Sequence, residues 1–267
     1  TYDELIVPLL QRMSNLEKLH LNVYVSMKET FIDGNNLKKN IINHMPRLNK
    51  FTFNIRSYLD NRNQNDLPTT EDIKHTFSDF KNNQIISYVD YFQSRRSGWC
   101  SIYTYPYILK SYGYVTNNFP GVLCKSVREI ELYDEHPFEY KFFLRTSQSF
   151  PFVEELSLSN SKPQKNKLCR ESNKDNQHLS IIKFHHLTNL TLYGAHDDYI
   201  EQFLDDTKTS LSNNVHLNVE FEPLKRVTYH FTRNATRINC QKLKSLWLNG
   251  YGLPKYAKNY FPHTKIS

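Results

Sequence analysis

Residues 187–192 read Leu-Thr-Asn-Leu-Thr-Leu, and the fold prediction rests on the spacing of these three leucines. The first two leucines enclose two variable residues, and the second and third enclose one. The closing alternation of apolar and polar residues has the period of a β-strand with one buried face. The arrangement recurs at 16–23, 48–55, 127–132, 153–158 and 243–248, and in degenerate form at 215–221.

The copies follow one another at a bounded spacing. The third apolar position falls at 132, 158, 192, 219 and 248 in the five later copies, so the period is 26 to 34 residues. Periods of this size are typical of the longer leucine-rich repeats, in which a strand alternates with a helix. The interval from Phe53 to Leu132 is much longer, and it must contain at least one divergent copy and an insertion.

The stretches between the copies have helical spacing. Ile73, Phe77 and Phe80 recur at the spacing of one helix face, behind the candidate N-cap Thr69. Residues 198–201 begin with Asp and end with Glu, which predicts a capping box at the start of another helix. We therefore predict an α/β leucine-rich-repeat solenoid with parallel strands on the concave face, helices on the convex face and a β-hairpin insertion.

We assign the whole chain, 1–267, to a single leucine-rich-repeat domain. Four segments differ from the repeats. Residues 1–14 predict a lead-in helix, and the aromatic-rich residues 85–107, with a polar turn at 93–98, predict the inserted hairpin. Residues 160–178 are polar and predict a flexible surface loop, and 250–267 predict a C-terminal cap.

The repeats and the residues that lead into them resemble the leucine-rich-repeat regions of F-box proteins. The resemblance is carried by 13–19, 45–48, 150–156, 195–201 and 224–228, and it extends over almost the whole chain after about residue 13. It implies the substrate-binding part of an F-box adaptor in a cullin-type (SCF) ubiquitin ligase. The F-box itself, which would dock on a Skp1-type linker, is not visible in this chain, where residues 1–12 resemble only a lead-in helix.

Strand alternation also predicts a binding surface for a protein substrate. The variable residues between the apolar positions point away from the core, onto the concave face. Trp247 is the best candidate anchor, because tryptophan buries a large area at low entropic cost. The alternative for Trp247 is packing beneath the C-terminal cap. The predicted partner-binding residues are His20, Asn22, Tyr24, Asn54, Arg56, Glu131, Tyr133, Thr191, Tyr193, Trp247 and Asn249.

Composition excludes several classes of protein. The 267 residues are 39% hydrophobic and contain only 7 glycines, which excludes collagen-like and broadly disordered chains. No run of about 18 apolar residues is present, so no membrane partner is predicted. The four cysteines lie far apart, which predicts free thiols in a reducing compartment and hence a cytoplasmic or nuclear location.

The sequence does not predict an enzyme, a metal site or a cofactor. It contains no nucleophile elbow, no zinc-protease motif and no glycine-rich phosphate loop. His185-His186 and His196-Asp197-Asp198 are conceivable metal ligands, but their positions favour the start of a repeat strand and a helix cap.

Two other functions stay open. The first is a stand-alone repeat protein that binds a partner without any connection to a ubiquitin ligase. The second is RNA binding through Arg95-Arg96 and the aromatic residues near them. The net charge of +7 is spread along the chain, and no basic cluster reaches five residues, so nucleic acid is the disfavoured partner.

Overall fold

The computed structural model describes residues 2–27, 29–60, 67–80, 84–166, 180–249 and 251–266. The chain folds into two compact units, the first formed by Thr1–Tyr107 with Asn118–Pro120 and the second by Ile108–Asn117 with Gly121–Ser267. Both contain helices and parallel strand pairs, so the predicted α/β class is confirmed.

The first unit holds a four-stranded sheet in the order β1-β2-β4-β3. Strands β1 and β2 are parallel, whereas β4 is antiparallel to both of its neighbours. A π-helical turn over Tyr2–Ile6 and a 3-10 turn over Ile42–His44 complete the unit. Its elements are α1 (Val7–Gln11), β1 (Lys18–Met27), α2 (Gly34–Asn40), β2 (Lys50–Asp60), α3 (Thr70–His75), β3 (Ile85–Phe92) and β4 (Ser97–Thr104).

The second unit is built on a seven-stranded sheet whose neighbouring strands are all parallel. Its order is β13-β12-β11-β9-β7-β6-β5, and β8 and β10 form a separate parallel pair. The elements are β5 (Ser111–Val115), β6 (Glu129–Tyr133), α4 (Tyr140–Ser149), β7 (Glu155–Ser159), β8 (Ile182–Lys183), β9 (Asn189–Thr191), α5 (Asp197–Leu204), β10 (Thr209–Ser210), β11 (Val215–Asn218), α6 (Phe221–Val227), α7 (Asn234–Gln241), β12 (Leu243–Trp247), a 3-10 helix (Lys255–Tyr260) and β13 (Lys265–Ile266).

The motif residues stack directly on one another across the second unit. In the observed register, the second apolar position of each copy lies beside the same position of the next. All five residues are buried. This stacking explains why the spacing recurs, because no single copy could bury its own apolar face. We call the row Ile130, Leu156, Leu190, Leu217 and Leu246 the leucine ladder.

A repeated hydrogen-bond pattern joins consecutive copies. The carbonyl of the second residue of one copy accepts bonds from two successive amides of the next. Thus the carbonyl of Arg128 accepts from Glu154 and Glu155, and the carbonyl of Glu154 accepts from Thr188 and Asn189.

The same bonds identify the divergent copy expected before Leu132. The carbonyl of Lys110 accepts from the amides of Arg128 and Glu129, as the second residue of a copy would. Strand β5 is therefore this copy. Its register shifts between Tyr112 and Val115, which displaces the second core residue by one position and hides the motif.

The inserted hairpin is present, and it ends the parallel series of the first unit. Residues of β3 and β4 pair throughout the hairpin, and β4 occupies the edge of β2 that a further parallel strand would need. The sequence treats 1–267 as one repeat domain, whereas the structure divides the motif strands between two sheets.

Two further expectations differ from what the structure shows. In the segment 160–178, residues 160–166 are held in place rather than free, because Asn160 donates to His136 O and Gln164 donates to Phe138 O. Residues 167–178 lie outside the described residues. The capping box at 198–201 is absent, since helix α5 is capped two residues earlier by His196, whose Nδ1 accepts from the amide of Asp198.

The segment 250–267 continues the second unit. Tyr260 and Phe261 are buried, and β13 adds a parallel strand beside β12. Residues 2–11 are helical, in agreement with the lead-in helix expected over 1–14. None of the helices in the described part of the chain combines the length and apolar character needed to cross a bilayer.

Candidate binding surface

The side of the seven-stranded sheet opposite the leucine ladder carries a row of polar and aromatic residues. Because successive strand residues alternate between faces, each ladder residue is followed by one that points the other way. We call this side the polar face. Its central row, read across neighbouring strands, is Glu131, Ser157, Thr191, Asn218 and Trp247.

Two large aromatic side chains are exposed on or beside the polar face. Trp247 is 48% exposed and Tyr193, just beyond the end of β9, is 51% exposed. About half of the Trp247 side chain is therefore open to solvent and available to a partner. Exposed aromatic rings of this size are the residue types that most often anchor protein interfaces.

One end of the polar face is acidic, although the chain is basic. Strands β5, β6, β7, β9 and β11 contain three carboxylates and no lysine or arginine, whereas β12 and β13 carry Lys244 and Lys265. Glu129 and Glu155 lie directly opposite each other, and Glu155 accepts a bond of 3.0 Å from Asn189 Nδ2. Adjacent like charges on a sheet are destabilising, so a cationic group from a partner would be favoured here.

Two polar side chains of the polar face, His216 and Asn218, differ in their hydrogen bonding. His216 Nδ1 lies 2.6 Å from Ser245 Oγ, which fixes the imidazole against β12. Asn218, between Thr191 and Trp247, has its Oδ1 covered with no hydrogen-bond donor among the described residues. A covered amide oxygen without a donor lowers the stability of the fold.

The remaining predicted residues of the second unit lie around this row. Tyr133 packs edge-to-face on Tyr114 at 5.7 Å between ring centroids. Asn249 follows β12 and is exposed. All six residues predicted in this unit, including Glu131 and Thr191, are therefore at least partly accessible from solvent.

The five residues predicted in the first unit form a second surface, on β1 and β2. The register sets His20 beside Thr52 and Asn22 beside Asn54. His20 Nδ1 lies 2.9 Å from Thr52 Oγ1, and Asn54 Nδ2 donates to Asn22 Oδ1 at 3.1 Å. These side chains satisfy one another across the strands, which makes them a pre-formed polar surface.

An aromatic cluster on the same sheet includes one residue that sequence reasoning did not place there. The guanidinium carbon of Arg56 lies 4.7 Å from the centroid of the Trp99 ring, and Tyr24 and Tyr58 contact the ring edge-to-face at 5.5 and 5.6 Å. The antiparallel pairing of β2 with β4 brings Trp99 beside Tyr58. Trp99 is only 8% exposed, so it supports Arg56 and Tyr24 from below.

The structure thus assigns the predicted residues to two sheets, five to the first unit and six to the second. The second set has two exposed aromatic side chains, Tyr193 and Trp247, and its row crosses five strands, whereas the first has one, Tyr24, so the second set is the stronger candidate site.

The residues proposed for base stacking are not arranged for it. Tyr88, Phe92 and Trp99 are buried in the hairpin sheet, and the rings offer no open face to a base. Arg95 and Arg96 lie at the exposed hairpin turn.

Metal ligation finds no support in the histidines. Among residues whose placement is described, no group of three or more His, Cys, Asp or Glu side chains could hold a metal ion. His196 caps helix α5, and Asp198 accepts from the amide of Gln164 at 2.9 Å. These contacts account for the His-Asp-Asp sequence as a structural feature.

The described cysteines are buried thiols. Burial raises the pKa of the Cys124 thiol to about 12, and burial also raises the pKa of Cys100 and of Cys240. Cys169 lies outside the described residues. A thiol with a raised pKa is a poor nucleophile at neutral pH, because only the thiolate reacts.

We expect these three thiols to be unreactive in the native protein. In a Cys169→Ser background, a disulfide reagent at about pH 8 should label essentially no thiol before unfolding and all three after unfolding in urea. Rapid labelling of any of them in the native protein would contradict their burial.

No family model, curated protein or solved structure matches the chain.

Proposed function

We propose that this chain is a protein-recognition module and that the polar face of the second unit is its binding surface. The observation that supports the proposal is the leucine ladder. It commits one side of the sheet to the core and so presents the intervening residues in a regular row on the other. A rigid sheet that carries exposed Tyr193 and Trp247 offers pre-organised anchors, which reduces the entropic cost of binding.

We further propose that the repeats form a leucine-rich-repeat solenoid and serve as the substrate-binding region of an F-box adaptor. This step is supported by the resemblance of the repeats and their lead-ins. Acting as an adaptor, the chain would hold a protein substrate near the ubiquitin-charged partner, and the rate would rise through effective concentration rather than bond chemistry. The surrounding ligase would supply the catalysis.

The alternative is a stand-alone repeat protein that binds its partner without a ligase. The two roles differ in what precedes Thr1 in the full reading frame. An F-box immediately upstream, together with recovery of a Skp1-type linker in a pull-down from the source cell, would support the adaptor. A different upstream segment and no ligase subunits would leave only the recognition role.

Trp247→Ala and Tyr193→Ala should each weaken partner binding by about 1–3 kcal/mol, because each removes an exposed aromatic anchor. Their unfolding midpoints should stay close to that of the parent, since neither side chain is part of the core. Quantitative pull-downs and binding isotherms with the recovered partner would measure the first effect, and thermal unfolding the second.

Tyr256→Ala is the matched control, since Tyr256 is also exposed but lies in the 3-10 helix, away from the polar face. A partner whose retention falls with Tyr193 and Trp247 but not with Tyr256 supports the proposed surface. Equal losses of binding in all three variants would overturn it.

A further inference from the structure

The second unit contains a cavity that has no part in the proposed binding surface. It has a volume of about 500 Å³ and opens beside the small β8–β10 sheet. The polar side chains around it come from three separate segments of the chain. They are Lys183, His185, Ser210, Ser212, Asn213 and Lys242.

The lining of this cavity is cationic, and none of the described residues that form it is a carboxylate. Two lysines and a histidine line it, although the chain has 27 acidic residues. Lys242 Nζ donates to Leu211 O and to Asn239 Oδ1, each at 3.1 Å. Both acceptors are neutral, so these bonds orient the ammonium group without compensating its charge.

Lys183 contributes a second positive charge from the neighbouring strand. Its Cα is paired with that of Ser210, so the two side chains emerge on the same side of the small sheet. Lys183 is exposed while its neighbour Ile182 is buried, which directs the ammonium group to the open side. Lys183 forms no ion pair with any of the described residues, which do not include 167–179.

Buried hydrogen bonds fix the walls of the cavity. Asn239, which is 0% exposed, donates to Thr209 O at 2.6 Å and to Phe203 O at 3.2 Å, and its Oδ1 accepts from the amide of Leu211. On the opposite wall, Ser212 Oγ lies 2.9 Å from Phe184 O. The lining is therefore held in position before any ligand arrives, which favours binding.

We propose that this cavity binds a phosphate-type oxyanion, carried by a phosphate monoester. Ammonium groups from Lys183 and Lys242 would supply charge-assisted hydrogen bonds, which are about twice as strong as neutral ones. The Ser210 hydroxyl and the Asn213 amide supply neutral donors, whereas the Ser212 hydroxyl donates to the wall itself. The volume exceeds that of a bare phosphate, and it leaves room for the esterified group.

The test uses the whole chain and three probes at matched ionic strength: inorganic phosphate, O-phosphoserine and a short peptide containing phosphoserine. Binding is followed by amide chemical shifts in heteronuclear NMR, with chloride as the reference anion. We expect saturable shifts confined to the residues around the cavity. Tighter binding of the peptide than of phosphate identifies a phosphorylated protein side chain as the source, and equal affinities identify a small phosphate compound.

Variants assign the effect to the cavity. Lys183→Gln should weaken binding about tenfold, as expected for the loss of one charge-assisted bond, and Lys183→Gln with Lys242→Gln should abolish it. Lys183→Gln removes no hydrogen bond of the described fold, so it tests the site even if the Lys242 variant does not fold. Lys244→Gln is the control, because Lys244 is exposed on β12 outside the cavity lining.

Two results would overturn the proposal. The first is an equal loss of affinity in Lys183→Gln and Lys244→Gln, which would show a diffuse effect of net charge. The second is the absence of saturable shifts with every phosphate probe. Neither result depends on the polar face, so neither would affect the proposed protein-recognition function.

Discussion

Leu190→Ala is expected to lower the free energy of unfolding by about 2–5 kcal/mol. Leu190 is 0% exposed and occupies the centre of the leucine ladder, between Leu156 on β7 and Leu217 on β11. Its truncation removes apolar contacts on both sides and leaves a cavity between strands whose backbones are fixed by parallel pairing. Such a site cannot collapse without disturbing the register, and the cost of a cavity rises when relaxation is limited.

Urea unfolding followed by far-UV circular dichroism measures this change. Leu123→Ala is the matched control, because Leu123 belongs to the same unit but is 39% exposed. We expect Leu123→Ala to lower the free energy of unfolding by well under half as much as Leu190→Ala does. Equal effects would mean that the ladder is no more important to stability than a partly exposed leucine, and the repeat stacking would lose its energetic basis.

The motif strands could be predicted because their signal is local. An apolar-polar alternation fixes which side of a strand is buried, whatever its neighbours are. Every copy of the motif accordingly contributes a strand, and the core residues named by the spacing are those that stack in register. The same alternation correctly placed residues such as Thr191 and Trp247 on the side away from the core.

The pairing of the hairpin with β2 could not be predicted in the same way. Every residue of β4 is buried, so the strand shows no alternation that would indicate a solvent-facing side. Its antiparallel register with β2 is a long-range property. That register brings Trp99 beneath Arg56, and it also ends the parallel series of the first unit.

Two smaller differences between the expected and the observed structure have local causes. Strand β5 does not show the motif in its sequence, because a register shift places Val115, rather than residue 114, beside Leu132 in the core. The sequence predicts a carboxylate cap for helix α5, whereas a histidine ring nitrogen performs this role and Asp198 accepts from the amide of Gln164. Histidine is not among the residues that indicate an N-cap in sequence.

The cationic cavity left no sequence signal at all. Its lysines are separated by 59 positions, from 183 to 242, and neither belongs to a motif. They meet because the short strands β8 and β10 pair beside the start of β12. In a sequence, scattered basic residues are interpreted as solvated surface. Only the fold shows which of them line the same cavity.

Asn239→Ala should lower the free energy of unfolding by about 3–5 kcal/mol, because it leaves several buried polar groups without hydrogen-bond partners. The carbonyls of Phe203 and Thr209 would each lose a donor, and the amide of Leu211 would lose its acceptor. Each unsatisfied buried group costs about 1–3 kcal/mol, so the combined effect should exceed the gain in helix propensity from alanine.

Asn234→Ala tests this reading, since Asn234 is exposed at the first residue of the same helix, α7. We expect it to change stability by no more than about 0.5 kcal/mol, as is usual for surface positions. Denaturant unfolding of both variants gives the comparison, and amide hydrogen exchange shows where it acts. Protection should fall first at Leu211, whose amide bonds to Asn239, whereas unchanged protection there would mean that the bond contributes little.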